Sequence, residues 1–323
     1  MKREENILIK ILSIVGGFLV MLAILGLLTL AGLAKSKTEM FVFGIGFVVG
    51  AIGCNKGLNN LLSDALSIPA FAGGLLLIGI SGVEFDWHGN GICLIFIIIA
   101  LCSLCIVQSY IFSFVSVLVL TGSVLSLILI NEAYDWIFIY NSVAAGAVTC
   151  LFRTENQWLT KDSKFSRLYN PLRSGLVLSF LVGLFLTGKE GIIPLEPVWI
   201  WLSAVVPAVV ILCFTSNLLR LFRVKSVWNK SVVYFITVLL LGVTAFSPAL
   251  SGTFLIILLS FHANYKSGLG LGIISFIYFI IQYYYDLHFS LLVKSGLLFS
   301  SGILFIVCYL LFTHKKAKVN EKI

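Results

Sequence analysis

Residues 111–130 read IFSFVSVLVLTGSVLSLILI, a stretch with no charged residue. Its apolar side chains run on without the period-two alternation of a half-buried strand. About 20 such residues cross about 30 Å of hydrocarbon as a helix. Inside lipid every backbone N–H and C=O must find its partner within the protein, so only helices and closed barrels span. Continuous apolarity selects the helix here.

The rest of the chain repeats this stretch. Of 323 residues, 59% are hydrophobic and 11% charged. A soluble domain carries about a quarter charged residues. This chain cannot cover itself with polar groups, so its outer surface must face lipid. Apolar runs fall near 11–34, 40–55, 63–82, 91–107, 111–130, 136–152, 174–188, 198–218, 231–246, 249–264, 268–284 and 289–312. The expected fold is therefore all-α: a polytopic transmembrane helix bundle of about twelve spans, forming one integral membrane domain over residues 1–323. The first run is read as a retained span rather than a signal peptide, because it is too long for a signal core. The run 40–55 is short enough to be re-entrant or to thin the bilayer. The pair meeting at Ser247-Pro248 leaves almost no loop, so Pro248 can also mark a broken helix.

Charge sets the expected orientation. With a cytoplasmic N-terminus and alternating spans, 18 of the 22 Lys and Arg residues fall in inner segments. Only Lys35, Lys37 and Lys189 fall outside, and Lys294 is left within a span. That bias is the positive-inside pattern, and an even span count places both termini in the cytoplasm. The net charge of +8 is thereby accounted for by topology, with no folded basic face for nucleic acid. The inner stretch RTENQWLTKDSKFSRLYNPLR, residues 153–173, reads either as an ordinary loop or as a segment lying on anionic headgroups.

Several chemistries find no motif. There is no P-loop, no H-E-x-x-H and no G-x-S-x-G, and the four histidines are scattered. Cys102 and Cys105 have C-x-x-C spacing without a second pair to complete a metal site. The seven cysteines are expected to act as buried small hydrophobes. No metal, cofactor or catalytic cluster is expected.

Some residues do stand out. Phe85-Asp86-Trp87, Tyr134-Asp135-Trp136 and Tyr285-Asp286-Leu287 each close an outward-going span, which hints at repeated helical hairpins. Interfacial aromatics with an aspartate capping the next helix would give the same pattern. Lys294 lies in the last apolar run, within LLVKSG. It can snorkel to the interface. It can instead face the bundle and pair with Asp135, Asp86 or Glu132, which would make it a functional site. FVFGIGFVVGAIG carries Gly44, Gly46, Gly50 and Gly53 for close helix packing. Pro207 should kink its span, and Asn141 and Gln282 are candidate interhelical glue.

The C-terminal third carries a resemblance. Ser247-Pro248-Ala249, the Tyr284-Tyr285 pair before a short turn, and Leu291-Leu292-Val293-Lys294-Ser295 lie within residues 243–312. This region resembles the bacterial polytopic membrane proteins grouped as domain of unknown function 4401. Ala249 stands where that pattern often has glycine. The resemblance implies an integral membrane protein in which Lys294, Ser295 and the tyrosine pair belong to a recurring motif. It also implies a companion membrane-anchored protein, and no activity or cofactor. The candidate site is thus Lys294, Ser295, Asp135, Asp86, Tyr284, Tyr285 and Asp286. The expected role is binding or transport of a small solute through the bundle. The alternative is a non-catalytic scaffold that assembles with a partner membrane protein. An enzyme of the outer face, using Asp86, Asp135 or Asp286 with His88 or His288, requires those side chains to converge.

Overall fold

The computed structural model describes residues 7–32, 36–57, 61–160, 163–189, 191, 193–194, 200–221, 227–244, 247–286, 295 and 299. Those residues are helical with no strand. In chain order the helices are α1 (Ile7–Leu30), α2 (Lys37–Gly57), α3 (Leu61–Glu84), α4 (Gly89–Ile106), α5 (Tyr110–Ile130) and α6 (Trp136–Arg153). They continue with α7 (Glu155–Thr160), α8 (Ser163–Gly188), α9 (Ile200–Leu221), α10 (Val227–Thr244), α11 (Pro248–His262) and α12 (Lys266–Asp286). Seven of them are long and apolar enough to cross a membrane, as expected of a multi-pass membrane protein.

Helix lengths correct the sequence reading at three places. α2 has 21 residues, about 31 Å at 1.5 Å per residue, long enough to span without re-entry. Pro248 begins α11 at its first turn, where its missing N–H costs nothing, rather than breaking a helix. α8 starts at Ser163, well before the apolar run, and continues through Pro171. The polar stretch 153–173 is therefore not a loop. It holds α7 and the first turns of α8, whose charged side chains suppress hydropathy without opposing helix.

The bundle is apolar outside and carries its polar side chains inside. Ile98, Val143 and Ile274 are 60, 65 and 68% exposed. Ser67, Ser81, Ser103, Ser113, Ser116, Asn141 and Thr253 are buried. Two apolar clusters organise it. One joins α2 and α3 to α5 through Val48, Phe71, Ile78 and Phe112. The other joins α6, α8, α9, α11 and α12 through Ala145, Phe180, Leu184, Ile211, Ile256 and Phe279. α5 and α8 bridge them, with Thr121 and Ser179 hydrogen-bonded at 2.6 Å and Tyr110 and Ser174 at 2.9 Å.

Close approach of backbones is confined to particular glycines. Gly44 of α2 and Gly74 of α3 face each other so tightly that a Cβ on Gly74 would lie 2.8 Å from the Gly44 carbonyl oxygen. Gly46, Gly50 and Gly53 have open space beside them, so only Gly44 of the four predicted packing glycines packs in this way. The cysteines depart from expectation too. Cys93 is buried, while Cys54, Cys102, Cys105, Cys150 and Cys213 lie exposed on the bundle. A thiol is apolar enough to face acyl chains, so lipid exposure costs it little.

Asn141 is the predicted glue residue that the fold uses. It is fully buried and donates to the Gly183 carbonyl at 3.2 Å and to Thr187 Oγ1 at 3.1 Å, tying α6 to α8. Gly183 makes room for it: a Cβ there would overlap the Asn141 amide oxygen and lie 2.8 Å from Tyr140 Cε1. Gly183→Ala should lower stability by about 1–3 kcal/mol through overpacking. Gly146→Ala, with nothing near its Cβ position, should be neutral or stabilising by up to about 1 kcal/mol. Thermal unfolding of both variants in mild detergent measures the difference, and equal effects would contradict this packing.

Candidate functional site

Hydrogen bonds assign helix ends to the two ends of the bundle. At one end Lys37 Nζ donates to the Glu84 carbonyl at 3.4 Å, and Asn90 and Asn131 exchange amide bonds at 2.8 and 2.9 Å. Glu39, Glu84, Asp86, Glu132 and Asp135 collect there. At the other end Asp64 accepts from Asn55 at 2.9 Å and from Ser109 at 2.6 Å, joining α2, α3 and the α4–α5 connection. Arg167 reaches Gln108 at 3.4 Å and brings the start of α8 to the same end.

Of the predicted site residues, Asp86, Asp135, Tyr284, Tyr285 and Asp286 lie at or beside helix ends. Lys294 lies outside the described residues, so its pairing is not part of the geometry. No hydrogen bond or ion pair joins Asp86, Asp135 and Asp286 to one another among the described residues. Asp286 accepts from Gln282 of its own helix at 2.9 and 3.0 Å, so Gln282 does not glue helices. Tyr284 and Tyr285 pack edge to face at 5.8 Å, and Tyr285 is 71% exposed. Ser295 is exposed. His288, which the outer-face enzyme reading also names, lies outside the described residues.

The three aromatic-aspartate turns also differ in backbone. Asp86 has φ 57°, and the Trp87 N–H bonds back to the Gly82 carbonyl at 2.9 Å, closing α3 in a left-handed cap. The same closure ends α5 at Glu132, φ 53°, with the Ala133 N–H on Ile128 at 3.1 Å. Asp135 instead has right-handed geometry before α6 and makes no side-chain cap bond. The backbone counterpart of Asp86 is therefore Glu132, one helix end later, while the turn that would compare Asp286 with Asp135 lies outside the described residues. Asp286 is the last residue of α12.

The opposite end holds the cluster that sequence reasoning missed. A third left-handed cap, at Asn264 with φ 51°, closes α11 and sends the Tyr265 N–H to the Ser260 carbonyl at 2.8 Å. That turn lays the Tyr265 ring against the Arg173 guanidinium, 3.9 Å from carbon to ring centre. Tyr169, one turn earlier on α8, and Phe152, near the end of α6, stand at 5.0 and 5.7 Å. Glu155, at the start of α7, contacts Arg173 at 3.5 Å; the Arg173 side chain is 11% exposed and that of Glu155 27%. Asn170 accepts from the guanidinium at 3.1 Å. One buried cation thus ties α6, α7, α8 and the α11–α12 turn. Among the described residues, Arg173 Nε and the Tyr169 hydroxyl are buried without a hydrogen-bond partner. Cation–π contacts are worth about 2 kcal/mol when desolvated. In sequence, Arg173 reads as one of five cations in 153–173 with Tyr169 interleaved, and nothing local marks Phe152 or Tyr265 as its partners.

Beside this cluster lies a cavity of about 650 Å³ between α6, α9 and α11. Phe152, Val209, Val210, Phe214 and Leu259 form apolar walls, and Arg153, Glu155, Asn217 and His262 supply polar groups. Phe152 and Glu155 belong to both cluster and cavity. The volume suits a small molecule, for which pockets run about 300–1,000 Å³. Among the described residues no group of three or more His, Cys, Asp or Glu is placed to hold a metal ion.

The cluster predicts a graded response. Arg173→Ala should cost about 2 kcal/mol or more, because it removes the cation–π contacts and strands Glu155. Glu155→Gln should cost about 1 kcal/mol or less, since that carboxylate is partly exposed. Unfolding midpoints in detergent test the order, and a larger loss for Glu155→Gln would refute it.

No curated protein and no solved structure matches the chain. A family model does match, over residues 7–315, which extends the resemblance seen in residues 243–312 to nearly the whole chain. The N-terminal two-thirds looked generic because lipid-facing positions accept any apolar residue, leaving few distinctive motifs. The chain belongs to the family described as domain of unknown function DUF4401.

Proposed function

We propose that this chain is a multi-pass protein of the bacterial inner membrane that binds a small solute in the cavity among α6, α9 and α11. The observation that carries the proposal is that cavity: about 650 Å³, apolar-walled, with Arg153, Glu155, Asn217 and His262 among its lining residues. It lies away from the acidic-end residues expected from sequence, of which Lys294 is outside the described residues. The chain is taken to have about twelve spans with both termini in the cytoplasm. The cavity then opens at the cytoplasmic end, where Arg153, Arg220 and Lys266 occur at helix ends and Arg167 and Arg173 in the first three turns of α8. The acidic turns face outward. Lys294 is assigned to that outer end, and solute flux unchanged by Lys294→Ala and Lys294→Met would remove it from any transport path.

A second reading has its own observation. Gly46 and Gly50 of α2 have open space beside them, and such spacing lets another helix approach closely. A scaffold that seats a companion membrane protein there would co-purify with it in mild detergent, and Gly50→Leu would abolish the pairing. A strictly monomeric chain argues against this reading.

Two measurements test the main proposal. A cysteine placed at Glu132 should react with an impermeant maleimide in intact cells, and one placed at Ser109 only after permeabilisation. The reverse pattern would invert the orientation. A panel of metabolites should raise the unfolding midpoint of the wild-type protein for at least one chemical class. That shift should vanish in Val210→Trp, which fills the cavity. A shift of equal size in Val210→Trp would place binding elsewhere.

A further inference from the structure

We infer that a cleft between α1 and α2 holds one acyl chain of an anionic phospholipid, with the headgroup at the level of Lys10. This inference is independent of the cavity among α6, α9 and α11. α1 and α2 both pack on α3. The α1–α3 seam is close: a Cβ on Gly17 would overlap the Ala65 carbonyl, and one on Gly73 would overlap the Met21 side chain. Gly44 and Gly74 bring α2 just as near to α3. Between these seams α1 and α2 leave a cleft of about 250 Å³, walled by Val20 and Ile24 on one side and Phe47 on the other. Gly46 and Gly50 lie along it, and a Cβ on either would meet nothing within 4 Å.

Shape and chemistry select the occupant. The cleft follows α2 from Gly46 to Cys54, eight residues or about 12 Å of helix. A transmembrane helix is about 10–12 Å across with its side chains, so it would have to part α1 from α3 to enter. A polar solute would leave its hydration for apolar walls, and Ser67, the hydroxyl in the lining, is already engaged by Asn55 at 2.9 Å. The rim is lipid-like in character: Leu19, Leu22 and Val49 are 64, 63 and 62% exposed. A flexible aliphatic chain fits both the width and the walls.

Charge places the headgroup. Gly17 meets Ala65 and Met21 meets Gly73, so α1 runs parallel to α3 and begins at the end that holds Asp64. Lys10 stands seven residues before Gly17, two helical turns, and therefore at the same angular position on α1, about 10 Å nearer that end. A cation there matches an anionic headgroup. Asp64, the acidic residue of that end, is held by Asn55 and Ser109. Lys56, two residues past Cys54, lies on roughly the opposite side of α2 from the cleft. Two rival accounts exist. In one, bulk lipid exchanges through the cleft without preference. In the other, a companion helix sits over Gly46 and Gly50.

Cys54 separates these accounts, because it lines the cleft as a free, exposed thiol, while Cys213 lies in the other cavity and serves as reference. The full-length protein, delipidated in mild detergent, is treated with a small maleimide, and modification of each cysteine is read by mass spectrometry. Phosphatidylglycerol should slow modification of Cys54 and leave Cys213 unchanged. It should act at about one-fifth of the concentration that phosphatidylcholine needs, the preference that one lysine near a lipid surface supplies. Lys10→Gln should remove that preference and Lys56→Gln should keep it. Native mass spectrometry should find one phosphatidylglycerol fewer on Gly46→Leu, whose side chain fills the cleft, than on the wild-type protein. An unchanged Cys213 rate in Gly46→Leu shows that the fold is kept.

No protection of wild-type Cys54 by either lipid overturns the inference, whatever the variants do. Equal potency of the two lipids overturns the anionic headgroup. A preference that survives Lys10→Gln, or falls equally in Lys56→Gln, overturns the placement at Lys10. Undiminished lipid retention by Gly46→Leu overturns the cleft as the site. A co-purifying protein that shields Cys54 in place of lipid overturns the inference in favour of the companion helix.

Discussion

Hydrocarbon offers polar groups no partners, and that constraint organises the molecule. An unpaired amide or hydroxyl in an apolar medium costs several kcal/mol. The backbone answers by closing every span into helix. The side chains answer by turning inward and pairing across helices: Ser103 with Ser116 at 2.7 Å, Thr121 with Ser179 at 2.6 Å, Asn141 with Gly183 and Thr187. Aliphatic residues such as Ile98 and Val143 take the outer surface, where lipid receives them at no cost. Since lipid tails are as apolar as leucine, burial alone does not hold these helices together. Close packing at Gly44, Gly74 and Gly183 and the polar pairs do so instead.

The two ends of the bundle solve different problems. At the acidic end, turns are short and self-contained, closed by left-handed residues and reciprocal asparagine bonds. At the basic end, charge enters the fold. Asp64 gathers two helices and a connection, and Arg173 is held by three aromatic rings and a carboxylate. A guanidinium suits that second role because its planar face stacks on rings while its edge still donates. The cavity adjoins this end because α6, α9 and α11 finish there. Phe152 and Glu155 serve both the Arg173 cluster and the cavity lining.

Much of this architecture was legible in the sequence. Each described membrane helix falls on an apolar run, from α1 on 11–34 to α12 on 268–284, because hydrophobic length is a local property of the chain. The misreadings have physical causes. α8 begins eleven residues before its apolar run because charge lowers hydropathy without breaking a helix. Asp86, Asp135 and Asp286 looked equivalent as letters, but φ distinguishes them, and Glu132 shares the conformation of Asp86. The cysteines were expected inside, yet in lipid an apolar residue is equally well solvated on either face. The candidate site was the least legible part. The cavity's lining comes from helices far apart in the chain, and Lys294, which the sequence singled out, lies outside the described residues.

The sequence by itself determined that the chain carries helices long and apolar enough to cross a membrane, where the described ones run, and that its cations collect in alternate connections. These are sums over neighbouring residues, and hydrocarbon and the positive-inside bias act on such sums. Only the tertiary structure decided that Arg173 meets Tyr265, Tyr169, Phe152 and Glu155, and that Gly183 rather than Gly46 carries a packing duty. A helix apolar on every side carries no hydropathy signal for which face turns inward. That rotation is fixed by a few polar and small residues acting across distant parts of the chain.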